Sequence, residues 1–139
     1  MMKPFVLSVS LVIALCLACA GCGAKKPVAG ASAEETARAF ADALNAKDFA
    51  RAAEAYDYVS FARAENSDWD EIPAGQRQQI ITRMKGQKAD ELRALQKKLG
   101  ANIKCGPAQD GVVALTGDAG TVNLALKPTD GVWLITNIW

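Results

Sequence analysis

The chain has 139 residues, a length that fits one domain, with 16 basic and 15 acidic residues and no histidine. Balanced charge argues against nucleic acid as a partner, because phosphate binding needs a concentrated basic surface. The missing histidine removes the commonest general base and the commonest metal ligand together. Of the four cysteines, Cys16, Cys19 and Cys22 sit in or at the end of an apolar leader, and only Cys105 lies in the body. Their x-x spacing is set among apolar residues without acidic neighbours, so it reads poorly as a metal site; no cofactor motif is present either.

The leader comes first. Met1-Met2-Lys3 is a short positive start, and the run from Phe5 to Ala20 is apolar apart from two serines. This is the layout of a secretory signal, and sixteen residues are short of the roughly 20 that cross a bilayer. Ala20-Gly21-Cys22 resembles the last three positions of the lipobox of bacterial lipoproteins, with Cys19 where that pattern favours Leu. Cys19, after Leu17-Ala18, is a second candidate. The resemblance implies removal of residues 1–21, acylation of Cys22 and an anchor of two or three chains in a membrane, effectively permanent at about 0.8 kcal/mol per buried methylene. Lys3 is the only charged residue removed, so the mature chain carries equal numbers of acids and bases. No Asp follows Cys22, which favours the periplasmic face of an outer membrane where the organism has one. Residues 22–31 read as a flexible tether, with Lys25 and Lys26 able to touch anionic headgroups.

The domain is expected over 32–139. Ser32-Ala-Glu-Glu35 is a capping box, and Ala33, Ala37, Phe40, Ala41 and Leu44 draw one helical stripe. Asp48 starts a second helix with Phe49, Ala52, Ala53 and Tyr56 on its inner face. Periodicity cannot decide between helix and strand for Tyr58–Phe61, and 65–75 reads as a loop. A long helix runs from about Pro73 to Leu99, closed by Gly100. The period then changes from 3.6 to 2: Ile103–Cys105, Val112–Thr116, Val122–Leu126 and Val132–Ile138 read as strands, joined by turns at 106–107, 117–120 and 127–131. Such short connections demand antiparallel neighbours, so the expected class is α+β, with N-terminal helices packed on a curved, cone-like, four-stranded meander.

A capped helix, then Ala-Lys-Asp-Phe-x-x-Ala at 46–52, then a meander ending in Gly-Val-Trp-Leu-Ile at 131–135 is similar to nuclear-transport-factor-two-like domains, in particular their lipoprotein branch. The resemblance covers 32–139 and implies a sheet folded around helices, often with an internal pocket. Members include isomerases, dehydratases and pure binding modules, so the fold does not transmit an activity. The pocket acids and histidine of the enzymatic members have no counterpart here, and no catalytic residue is carried over.

Candidate residues remain to be weighed. Tyr56, Asp57 and Tyr58 are the nearest thing to an acid–base cluster, but helical neighbours point about 100° apart; Tyr56 reads as core and Asp57 as solvated. Asp68-Trp69-Asp70-Glu71 offers an aromatic among carboxylates that could grip a cation or basic partner, against the plainer reading of a Trp folded onto the domain. Cys105 reads as a small core residue with a thiol that would be reactive if exposed, and Trp133 and Trp139 share strand parity. Lys85, Lys88, Arg93, Lys97 and Lys98 are interleaved with acids and read as a solvated face. The sequence therefore points to a non-catalytic envelope lipoprotein that binds a small apolar ligand or a protein partner. Tyr56, Met84, Trp69, Asp70 and Trp133 are the candidate contacts, in a pocket drawn from stripe residues such as Phe40, Phe49, Ile81 and Leu124. The alternatives are a small isomerase or lyase using Tyr56 or Asp57, and a scaffold that self-associates through its sheet.

Overall fold

The computed structural model describes residues 26–139. The expected signal peptide, its expected cleavage site and Cys22 lie outside the described residues. Four helices come first: α1 (Ala33–Asn45), α2 (Phe49–Ala53), α3 (Tyr58–Glu65) and α4 (Ala74–Leu99), with a 3₁₀ turn at Trp69–Glu71. Four strands follow: β1 (Lys104–Cys105), β2 (Val112–Thr116), β3 (Thr121–Thr129) and β4 (Val132–Ile138). They form one antiparallel sheet in sequence order, the α+β meander that the short connections required. Among the described residues no helix is long and apolar enough to cross a membrane.

The core forms where α1 lies on the sheet. Ala37, Phe40 and Leu44 are fully buried from the helix, and Val113, Leu115, Leu124 and Ile135 from the strands. Ser32 caps α1 by accepting the Glu35 amide at 3.1 Å, as the capping box demands. Asp57 caps α3 in the same way, accepting the Ser60 amide at 3.1 Å and the Ser60 hydroxyl at 2.6 Å, which settles Tyr58–Phe61 as helix. The expected second helix is shorter than its stripe: α2 ends at Ala53, and Tyr56 leaves it to form a parallel bridge with Ile135.

Two turns differ from expectation. β3 runs on through Pro128 to Thr129, so the hairpin is only Asp130-Gly131, with φ of 50° and 82°. Pro128 faces Trp133, whose own amide points away from β3 to the Gly30 carbonyl, so the missing proline N–H sits at a pair that forms no ladder bond. The 117–120 turn docks on the end of α4. Ala119 donates to the Leu99 carbonyl at 2.9 Å, and a Cβ on Gly117 would lie 2.2 Å from that same oxygen. Only glycine fits there.

A register shift between Ala125 and Leu126 places one extra residue, Thr136, in β4. Ile135 and Ile138, three apart, thereby both face the core side, opposite Leu126 and Leu124. The shared parity of Trp133 and Trp139 is broken by the same bulge: Trp139 is exposed, and Trp133 is half-buried beside Gly111.

Residues 26–31, read above as the end of a tether, lie against the fold, and Val28 is buried in the core. The reason is a ring of three hydrogen bonds. The Trp133 amide donates to the Gly30 carbonyl at 2.9 Å, the Gly30 amide to the Thr36 hydroxyl at 2.8 Å, and that hydroxyl to the Trp133 carbonyl at 2.8 Å. Thr36 is fully buried. Replacing its hydroxyl by methyl leaves a donor and an acceptor unmet, each costing on the order of 1 kcal/mol or more. Thr36→Val should therefore lower the urea-unfolding free energy by about 2–3 kcal/mol with an unchanged m-value, while Thr36→Ser, which keeps the oxygen, loses less than half of that. Equal losses in the two variants would show that the methyl group's packing, not the ring, matters.

Candidate functional site

Backbone pairing at the edge of β4 builds the site. The Ile135 amide donates to the Ala55 carbonyl at 2.8 Å, and the Asp57 amide to the Ile135 carbonyl at 3.1 Å. Tyr56 is held between these two bonds. Its ring meets Phe40 edge-on at 6.0 Å and lies 6.2 Å from the Tyr58 ring. The Tyr58 hydroxyl donates to the Ala53 carbonyl, whereas among the described residues nothing hydrogen-bonds the Tyr56 hydroxyl. The Tyr56 residue is nonetheless only 6% exposed.

That phenol borders a groove of about 350 Å³ between the C-terminal half of α4 and the end of β4. Leu92 and Leu95 from α4, Phe61 from α3 and Ile138 from β4 supply its apolar wall; Thr136 and Asn137, at and beside the bulge, line its strand side, so that the lining is about as polar as apolar. Lys88 and Glu91 complete the lining, with the ammonium 2.5 Å from the carboxylate and 5.0 Å from the Tyr56 ring centre. One turn earlier Lys85 repeats the pattern, 2.7 Å from Glu54 and 5.9 Å from the Tyr58 ring. Each lysine covers an aromatic face while a carboxylate holds it in place. A smaller lobe of about 230 Å³, lined by Tyr58, Met84 and Gln87 among others, shares Phe61, Lys88 and Glu91 with the main groove.

Burial pushes both phenols far above the ordinary tyrosine range, with nearby charge adding to it: Tyr58 and Glu91 for Tyr56, and Glu54 and Glu91 for Tyr58. A phenol held protonated is a hydrogen-bonding group, not a base.

The structure brings together only some of the residues singled out in the sequence. Tyr56 and Met84 reach the two lobes of one groove. Trp69 is 3% exposed, outside the main core cluster, in the corner between α3 and α4; Asp70 is in water, 2.9 Å from Arg63 and 3.9 Å from Arg77. The ring is packed rather than presented to a cation, and the Asp70 carboxylate is shared with two arginines in exposed pairs. Trp133 borders the Gly111 turn and none of the groove. Phe40 and Leu124 are solid core and line no pocket there. Asp57 is not solvated but 5% exposed, spent on capping α3 and within 3.5 Å of the Thr129 hydroxyl. Cys105 is a half-buried free thiol. Among the described residues no cluster of His, Cys, Asp or Glu could hold a metal ion.

Lys88 and Glu91 were missed because their charges read as a solvated face. Their spacing held the signal: from Met84, the positions of Lys88, Glu91, Leu92 and Leu95 are offsets of 4, 7, 8 and 11, the same stripe as in α1.

Two outcomes follow. Trp69→Ala should destabilise the fold by about 3–5 kcal/mol, read as a large drop in melting temperature; an unchanged melt would mean that the ring is not packed. The phenols, held protonated in the fold, ionise near pH 10 once unfolded, so their contribution is complete below pH 10 and is lost as pH rises above it. Tyrosinate absorbance at 295 nm should therefore appear only together with loss of the folded circular-dichroism signal; absorbance rising near pH 10 in folded protein would contradict the burial of both rings. As to relatives, no family model, no curated protein and no solved structure matches this chain.

Proposed function

We propose that the chain is a lipid-anchored envelope protein of the nuclear-transport-factor-two-like kind, whose domain binds a small, largely apolar ligand in the groove between α4 and β4. The observation that carries this reading is Tyr56, almost wholly buried as a residue, lining an open groove of mixed apolar and polar wall, with no hydrogen bond to its hydroxyl among the described residues. That hydroxyl is not itself sealed from solvent, so water can serve it in the empty groove and an acceptor on a ligand can take the water's place. A groove of this size falls at the small end of ligand sites. Helices followed by an antiparallel meander are in keeping with the proposed family. The lipobox-like Ala20-Gly21-Cys22 supports the anchor, with the mature chain attached through acylated Cys22. In this reading Asp57 serves as a helix cap, and the phenols, held protonated, serve as hydrogen-bond donors.

Native mass spectrometry of the full-length protein, extracted gently from membranes, tests both halves. The expected spectrum shows a chain starting at Cys22, heavier by its lipid, with part of the population carrying a further small molecule. Cys22→Ser should lose the lipid mass. Tyr56→Phe should keep the lipid and bind the small molecule about fivefold more weakly, one neutral hydrogen bond's worth. An intact leader would overturn the anchor, and an empty groove in every preparation the ligand.

A further inference from the structure

The groove is lined by one cation and one anion, and they are not equally placed. The Lys88 side chain is 27% exposed and that of Glu91 64%. An exposed ion pair contributes about 0–1 kcal/mol, so Glu91 can turn into water at little cost. Lys88 cannot leave as easily, because its stem and ammonium lie over the Tyr56 ring, with the Nζ 5.0 Å from its centre. With Glu91 turned out, the groove lining offers the Lys88 ammonium from α4, the Tyr56 hydroxyl and the exposed Asn137 amide, whose oxygen already accepts the Ile138 amide at 2.9 Å. All three can donate, and one is charged. Behind them the walls are Leu92, Leu95, Phe61 and Ile138.

We infer that the groove takes amphiphilic monocarboxylic acids: the acid head replaces the Glu91 carboxylate on Lys88 and receives the Tyr56 hydroxyl, and the apolar body lies along α4. This rests on the binding reading above and deepens it. A carboxylate suits because Lys88 already holds one in this place, at 2.5 Å, in the form of Glu91. An ammonium-headed ligand would meet Lys88, and an alcohol would leave the ammonium and its stem where Glu91 now holds them. A charge-assisted hydrogen bond is also about twice as strong as a neutral one, which separates the acid from its alcohol.

The test uses full-length protein in lipid nanodiscs, titrated with hexanoate, 1-hexanol and hexylamine, three probes with the same apolar body. Methyl resonances of Leu92, Leu95 and Ile138 report occupancy, with free probe concentrations measured so that partition into the bilayer is corrected. At pH 7, hexanoate should bind at least tenfold tighter than hexanol, and hexylamine weakest. Lys88→Met should bring hexanoate down to the level of hexanol and leave hexanol unchanged. Glu91→Gln, which removes the competing carboxylate, should tighten hexanoate severalfold, a gain that misfolding cannot imitate. Hexanol or hexylamine binding as well as hexanoate, or Glu91→Gln weakening the acid, would overturn the carboxylate inference while leaving the groove a binding site. No shift with any of the three probes would overturn the inference and the binding reading together.

Discussion

The outer edge of β4 is the constraint from which most of this structure follows. A terminal strand presents a row of amides and carbonyls that must find partners or invite another chain. Here two separate segments supply them. Gly30 and Thr36 take the amide and carbonyl of Trp133, and Ala55 and Asp57 take those of Ile135. Each pairing has a consequence beyond satisfying the edge. The first draws residues 26–31 onto the domain and buries Val28. The second pulls the chain out of α2 and fixes Tyr56 against Phe40, on the lining of the groove. Asp57 then starts α3, so that Phe61 arrives four residues later on the same groove. Covering the edge and building the site are one event.

The sequence made the regular parts legible because they repeat. The capping box and the Ala37–Leu44 stripe gave α1, and alternation gave the buried Val113, Leu115, Val122 and Leu124. What it hid were single pairings that no period announces. Thr36 lies next to the α1 stripe, and nothing local says that its hydroxyl bonds to a carbonyl 97 residues away. Val28 sits in a stretch of small residues and lysines, and composition there argues for a tether; only the available edge of β4 makes it structural. Tyr56 continued the apparent α2 stripe, and its departure from that helix is set by Ile135, far along the chain.

The bulge at Thr136 belongs with these hidden features. Strict alternation from Trp133 would have carried Trp139 to the core side and Ile138 away from it. The extra residue reverses that, turning Ile138 inward to wall the groove and leaving Thr136 and Asn137 along its rim, where Thr136 donates to the Ala125 carbonyl at 3.2 Å. Bulges commonly re-aim side chains beside functional sites, and this one is the reason that a sheet edge carries polar groups next to α4 at all. On the opposite wall the same economy holds: Lys88 and Glu91 occupy stripe positions that leucine would otherwise fill, so the groove exists where α4 substitutes charge for packing.

This last substitution is also why α4 can be long and lightly held. It runs 26 residues, about 39 Å, yet only Leu92 and Leu99 along it are buried. A helix that owed its position to a continuous apolar stripe would close onto β4 and leave no groove. Instead α4 packs mainly on α2, with Ile81, Met84 and Leu95 partly buried against the core, and its far end is tied to the 117–120 turn by Ala119 donating to the Leu99 carbonyl, while Lys85 and Lys88 rest on the tyrosines. The exposed pair of Lys88 with Glu91 is worth about 1 kcal/mol or less, weak enough to yield to a ligand, while the contact of Lys88 with the Tyr56 ring keeps the ammonium in the groove. The groove is thus held open at one end by hydrogen bonds that do not depend on a ligand, and lined at the other by pairs that one could replace.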